Sequence, residues 1–299
     1  MSVQLIGDND VIETKLITFS DGGINLKIDT VKVVDVEKYV CFTILPDTPV
    51  CQYELIIDLA EAIVGEHLSP SARCVLNLSY FPHARADRVF EKGMSNPLEN
   101  FCARLSTCEV FDKVLVNDLH NSEAVNNFTC GDIKIVEASQ SELLKTEIGR
   151  NKQLKGLTQD ESLIICAPDK GAKDKIKDIS MMLERNYIQL NKERDVSTGW
   201  IKSVTIDGDE SVEGKDILIV DDICDGGMTF IKSAQTLKDL GAKSVSLYVT
   251  HGIFSKGLDV FNGVVDNLFC YQIVMNYVTR QQLVNFNKGE QYESISTNR

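Results

Sequence analysis

The segment Ile217-Leu-Ile-Val-Asp-Asp-Ile-Cys-Asp-Gly-Gly-Met-Thr229 has the residue types needed to hold a phosphorylated sugar. An apolar, strand-like run ends in two adjacent carboxylates, Asp221 and Asp222, with a third at Asp225. Gly226 and Gly227 follow, then Met228 and Thr229 at the start of a helical pattern. Glycines let backbone amides converge on an anion, and a helix N-terminus adds partial positive charge. Carboxylates repel a phosphate, so they take hydroxyls or a metal instead. A ribose phosphate satisfies both halves: the acids take the 2- and 3-hydroxyls, and the loop from Gly226 to Thr229 takes the phosphate. A tight strand-to-helix turn with solvated acids is the alternative for the same residues.

Short apolar strands alternate with helical patterns along the chain, which predicts an α/β fold with mostly parallel sheets covered by helices. Strands are expected at Cys74–Phe81, Val114–Leu119, Ile217–Asp221 and Val245–Val249, and helices from Asn100 to Ser106 and from Thr229 to Leu240. Gly241 stands just past the second helix, a common stop. The stretches Asp112–His120 and Lys243–His251 look like one element used twice: a charged lead-in, a buried strand, and a histidine at its carboxyl end. This suggests two tandem halves, 1–145 and 146–299, with the polar stretch Lys152–Glu161 as a surface connection. Ligands of open α/β sheets bind beyond the carboxyl ends of the strands. His120, Asp169 and Asp221 are all expected there.

Composition narrows the partners. Hydrophobic residues make up 43% of the 299 and charged residues 25%, which fits a chain that buries a core. A net charge of −13 repels a phosphate backbone, so nucleic acid is not an expected partner. Any phosphate must bind in a local pocket, held by magnesium, backbone amides and a few cations. The nine cysteines include no Cys-x-x-Cys pair, and the four histidines do not stand at zinc spacing from them. They are read as small buried hydrophobes in a reducing compartment. The opening MSVQLIGDND lacks a signal-peptide pattern, and no run of 18 apolar residues occurs. A cytoplasmic location is expected, with no membrane contact.

The loop 221–229 resembles the phosphoribosyl-binding loop of the phosphoribosyltransferase fold, and further segments narrow the resemblance to the ribose-phosphate pyrophosphokinase family. Ser79-Tyr-Phe-Pro-His-Ala-Arg-Ala-Asp-Arg88 is similar to the family's ATP-binding segment, and Asn117-Asp-Leu-His120 to its strand-end histidine motif. Ala167-Pro-Asp-Lys-Gly171 resembles its Ser-Pro-Asp turn, Val249-Thr-His-Gly-Ile-Phe-Ser255 its Ala-Thr-His-x-x-Phe-Ser, and Phe19-Ser-Asp-Gly22 its Phe-x-Asp-Gly-Glu. The matches keep the family's order.

The resemblance implies two tandem phosphoribosyltransferase-type domains, the first carrying ATP-binding segments and the second the ribose-phosphate loop. It implies that ATP is bound by Phe19, Asp21, Arg85, Asp87, Arg88 and His120. The Phe19 segment would come from a neighbouring subunit, which implies a homo-oligomer: a dimer, or a hexamer built from dimers. Arginine suits ATP phosphates because its planar fork binds their oxygens bidentately. His120 and Asp169 match the pair that organises Mg2+. Lys192 and Arg194 match the lysine-x-arginine of a flexible catalytic loop, and with His120 they are the catalytic candidates. Each has a plainer alternative: a surface ion pair for the arginines, a helix cap for Asp169, a solvated loop for Lys192–Arg194. His83 has no family role, and His251 is read as structural. The implied reaction moves the β,γ-diphosphoryl group of ATP to the C1 hydroxyl of ribose 5-phosphate.

Three departures bear on the acceptor and on regulation. The family's Asp-Thr-Gly-Gly-Thr is Asp225-Gly-Gly-Met-Thr229, so a hydroxyl is missing at Gly226 and a bulky side chain appears at Met228. A charge-assisted hydrogen bond is worth about 1.5–3 kcal/mol, so this loop should grip a terminal monoester roughly 10- to 100-fold less. ADP-ribose, whose phosphates each carry one charge, is the second acceptor considered. Gly23 replaces the family glutamate, and Val89–Asn96 replaces a basic stretch associated with phosphate regulation. A catalytically silent regulatory partner of a synthetase is a third reading, opposed by the retention of His120, Asp169, Lys192 and Arg194.

Overall fold

The computed structural model describes residues 3–8, 10–131, 133–194, 201–208 and 210–289, the side chains of 192–194 and 201–204 excepted. The chain divides into two compact units, Met1–Ala138 and Ser139–Arg299. The strands of the first unit are β1 (Val3–Gly7), β2 (Asp10–Ile12), β3 (Thr14–Thr18), β4 (Ile24–Ile28), β5 (Tyr39–Ile44), β6 (Arg73–Leu78), β7 (Lys113–Asn117) and β8 (Lys134–Ala138). Its helices are α1 (Thr30–Val34), α2 (Tyr53–His67), α3 (Pro97–Ser106) and α4 (Ser122–Phe128).

The main sheet of this unit has the order β2-β1-β5-β6-β7-β8, parallel from β5 to β8 and antiparallel across β1. The order β5-β6-β7-β8 steps in one direction, so right-handed crossovers put α2, α3 and α4 on a single face. Val40, Phe42 and Ile44 of β5, Cys74, Leu76 and Leu78 of β6, and Val114 and Val116 of β7 point into that layer. There they meet Ile56 and Ala60 of α2 and Phe101 and Leu105 of α3. The hairpin β3–β4 adds Leu26 and Ile28 to the same core.

The second unit contains α5 (Gln140–Arg150), α6 (Lys152–Gln159), β9 (Ile164–Ala167), α7 (Lys173–Leu183), β10 (Tyr187–Arg194), β11 (Ile201–Asp207), β12 (Asp216–Cys224), α8 (Met228–Asp239), β13 (Ser244–Gly252), β14 (Asn267–Ile273) and α9 (Arg280–Lys288). Its sheet has the order β11-β10-β9-β12-β13-β14, parallel except for the hairpin β10–β11. Both faces are covered. Ile217 and Ile219 join Phe230, Ala234 and Leu237 of α8 and Leu283 of α9, whereas Leu218 and Val220 join Leu144, Leu154, Ile176 and Ile179 from α5, α6 and α7. A strand buried on both sides must be apolar without alternation, which is why Ile217–Val220 reads as a continuous run.

Three expectations are corrected. The stretch from Lys152 is a helix, α6, because the Asn151 side chain accepts from the Gln153 and Leu154 amides and Leu154 is buried against α5 and β9. The strand expected at Cys74–Phe81 ends at Leu78, and 79–88 is irregular backbone. The helix expected from Asn100 begins at Pro97, where the Asn96 side chain caps the Glu99 amide and proline occupies the first turn.

Candidate active site

In the second unit, the end of β12, the three-residue turn Asp225–Gly227 and the start of α8 form one continuous element. Gly227 has φ +78°, a conformation that costs an L side chain strain, and it is the N-cap of α8. A Cβ there would stand 2.5 Å from the Phe261 ring, so only glycine fits. Having no side chain, Gly227 makes no side-chain cap to α8, and the first amides of a helix have no partner within it and suit an anion. Gly226 is different: a Cβ there would meet only Lys256 Cγ at 3.5 Å and Ser255 Oγ at 4.0 Å. Met228 is 52% exposed. Thr229 is half-buried, and its carbonyl accepts from the Ser233 hydroxyl.

The three acids are held differently. Asp222 is buried, and its carboxylate lies 3.5 Å from the Lys175 ammonium on α7. Asp221 is half-buried, and its Oδ1 accepts from the Asp222 amide at 3.0 Å. Asp225 accepts a hydrogen bond from the Ser255 hydroxyl. Lys175 and Lys256 were not singled out from the sequence, and Ser255 only as the end of the Val249–Ser255 segment, because their neighbours are 30 or more residues away. Asp169 sits in the turn after β9, half-buried, with Oδ1 accepting from the Gly171 amide at 3.0 Å. It does not cap α7, whose N-cap is Ala172.

Lys192 and Arg194 fall in the last residues of β10, paired with Val204 and Ile201 of β11. Their backbone is strand where a loop was expected, at the end of a hairpin. Their side chains, and residues 195–200 between the strands, lie outside the described residues.

In the first unit, Phe19 and Asp21 stand at the tip of the β3–β4 hairpin, and Phe19 is 52% exposed. The turn is closed by the Phe19 amide on the Gly23 carbonyl at 2.7 Å, and by Asp21 Oδ1 accepting from the Gly23 amide at 2.9 Å. A side chain at 23 would stand 3.1 Å from that carboxylate oxygen, so glycine there goes with this tight turn.

The segment 79–88 and the turn after β7 carry the remaining candidates. Arg85 is exposed. Arg88 forms a two-pronged pair with Asp87, Nε to Oδ1 and Nη2 to Oδ2, each 2.8 Å. Asp87 is buried, and the Arg88 guanidinium, helped by a bond from Asn121, holds its carboxyl down at about 2. His120 is exposed at the carboxyl end of β7. The turn bearing it is fixed by Glu137 of β8, which accepts from the Leu119 amide at 2.8 Å and the Ser122 hydroxyl at 2.7 Å. His83 is half-buried against Phe101, and burial lowers its pKa. His251 is buried, with Nδ1 2.8 Å from the Gln272 amide nitrogen.

Among the described residues, no three His, Cys, Asp or Glu side chains form a cage for a metal ion. Magnesium bound with a nucleotide needs only one or two protein ligands beside phosphate oxygens and water, and the Asp169 carboxylate is a donor of that kind.

A sheet of parallel strands with acids, glycines and a helix start at its carboxyl edge defines a protein of the phosphoribosyltransferase fold. The phosphoribosyl transferase domain family matches residues 144–270. The structure is similar to phosphoribosylpyrophosphate synthetase from Mycobacterium smegmatis, with a TM-score of 0.69 at 20% identity over 88% of this chain and 81% of that one. In sequence, the chain is 29% identical over 269 residues to the ribose-phosphate pyrophosphokinase of Thermococcus kodakarensis, covering 87% of this chain and 90% of the relative. It is 28% identical over 235 residues to that of Pyrococcus abyssi, covering 77% and 76%. Over most of its length the chain is thus a divergent relative of the ribose-phosphate pyrophosphokinases, which are diphosphokinase-type transferases.

Proposed function

We propose that the chain is an ATP-dependent diphosphokinase whose acceptor is ribose 5-phosphate. The observation that carries this is the β12–α8 element: two acids at a strand end, followed by a glycine N-cap that makes no side-chain hydrogen bond to the start of the helix. Asp221 and Asp222 would hold the ribose hydroxyls and the 226–229 amides its phosphate, which orients the C1 hydroxyl. Its oxygen attacks the β-phosphorus of ATP and gives up its proton to solvent, the bond from that phosphorus to the α,β-bridging oxygen breaks, and AMP leaves with the bridging oxygen. The products are phosphoribosyl pyrophosphate and AMP. Such transfers leave the protein mainly positioning and charge stabilisation. Lys192 and Arg194 would meet the charge that builds on the transferring group. Phe19, Asp21, Arg85, Arg88 and His120 would bind ATP, Phe19 as an exposed aromatic offered to a neighbouring subunit of a homo-oligomer. In the second unit Asp169 would hold Mg2+, which supplies charge neutralisation on the phosphates when bound, and His120 is the metal donor that the resemblance gives on the first unit.

ADP-ribose is the second reading, favoured by Gly226, where even a Cβ would make only ordinary contacts with the exposed Lys256 and with Ser255. A second phosphate could leave the loop there, next to a cation. The deciding experiment is AMP formation from ATP and magnesium with each acceptor in turn. AMP with ribose 5-phosphate supports the first reading, and AMP with ADP-ribose alone replaces it by the second. AMP with neither leaves a non-catalytic partner of a synthetase.

A further inference from the structure

Asp87 was placed by resemblance among the ATP ligands, but its surroundings describe another task. Its side chain is 3% exposed and receives three hydrogen bonds. Two come from Arg88, and the third from Asn121 Nδ2 to Oδ2 at 2.6 Å. A carboxylate so engaged, lacking donors of its own, has little left to offer an anionic nucleotide.

Asn121 is the other half of this contact. It follows His120 and is the N-cap of α4, where its Oδ1 accepts from the Ala124 amide at 3.0 Å. Only one orientation of the side-chain amide serves both partners, since turning it over would set its oxygen against the Asp87 carboxylate. One residue therefore starts the helix after His120 and ties that start to the segment bearing Arg85 and Arg88. The two segments are 34 residues apart in sequence.

We propose that Asn121 is a positioning residue: through Asp87 it locks the 79–88 segment to the His120 turn, so that Arg85, Arg88 and His120 present one preformed surface to ATP. This rests on the ATP reading above for its ligand, though not for the tether itself. Binding to a preformed surface avoids the cost of ordering a segment on association. Loss of the tether should therefore appear in ATP affinity rather than in turnover.

The test uses Asn121→Ser and Asn121→Asp in the full chain. Both residues are good N-caps, so α4 keeps its start. Serine is too short to reach Asp87, and aspartate sets a second carboxylate against it. Expected are a KM for ATP raised about tenfold or more with kcat changed less than threefold, and faster amide hydrogen exchange through 79–88. Adding Asp87→Asn to Asn121→Asp restores an amide–carboxylate pair with the roles exchanged, and should recover much of the loss. Unchanged exchange at 79–88 in the serine variant would overturn the tether, and faster exchange with a wild-type KM would overturn its role in ATP binding. Should the unmutated protein bind no ATP, the functional reading fails, while the exchange measurement still decides the tether.

Discussion

The ammonium of Lys175 lies 3.5 Å from the carboxylate of Asp222, joining the first turn of α7 to the last residues of β12. Asp222 is buried while Lys175 keeps 28% of its side chain in solvent. The pair fixes the second of the two adjacent acids beside the turn Asp225–Gly227.

Lys175→Met should therefore leave a buried carboxylate without this cation. The full penalty for breaking a buried pair is about 3–5 kcal/mol, and the solvent around Lys175 should reduce it to roughly 1–2 kcal/mol. Acceptor KM should rise, and Lys175→Arg should restore most of both losses. Urea denaturation and acceptor saturation curves check this. A Met variant with wild-type stability and KM would remove the pair from the site.

Gly226 and Gly227 should respond in opposite ways to a methyl group. Gly227→Ala forces a left-handed alanine and drives its Cβ onto Phe261, at about 1–3 kcal/mol for the overpacking plus about 1–2 kcal/mol for the backbone. Gly226→Ala meets only ordinary contacts with Lys256 and Ser255, and should keep wild-type stability. Thermal melting of the two variants side by side gives the answer.

Acceptor choice is tested by Gly226→Thr combined with Met228→Gly. The change adds a hydroxyl at the turn and removes an exposed side chain at the start of α8. The ratio of kcat/KM for ribose 5-phosphate over ADP-ribose should rise. An unchanged ratio would place the selection elsewhere.

Lys192→Ala and Arg194→Ala should each lower turnover at least 100-fold with ATP affinity little changed, if both act mainly on charge that develops in the transition state. Equal losses in kcat and ATP affinity would mean ground-state binding instead. His120→Ala and Asp169→Ala should raise the magnesium concentration needed for half-maximal rate.

The Asp87 carboxyl gives a pH signature. Its pKa is depressed to about 2 in the folded state, so its contribution is present above the unfolded value near 4 and is lost as pH falls through 2. At about 1.4 kcal/mol per unit, and with Arg88 facing solvent, Asp87→Asn should cost roughly 1–2 kcal/mol at pH 7. The difference should vanish near pH 2. Stability measured across pH 2–7 for both proteins would show a gap of constant size if another group were responsible.

What the sequence determined alone was the class of the elements that frame the ribose-phosphate loop, though not every element elsewhere nor all of their ends. The apolar run Ile217–Val220 could only be a strand buried on both faces, and the glycines after Asp225 could only be a turn into a helix. Both are local facts, written in side-chain period and in backbone freedom. Resemblance then assigned the chemistry to Asp169, Asp221 and His120, since their types follow those segments directly. What only tertiary structure decided was which partners engage these residues. Lys175 with Asp222, Ser255 with Asp225, Phe261 against Gly227, and Asn121 with Asp87 are all brought together by chain crossovers. A pattern of period two or 3.6 records which face a residue takes, not who faces it. Asn121 shows the division in one side chain. Its helix-capping role is a local one, reaching the Ala124 amide three residues on, whereas its bond to Asp87 exists only because β6 and β7 are neighbours in the sheet and their carboxyl ends open on the same edge.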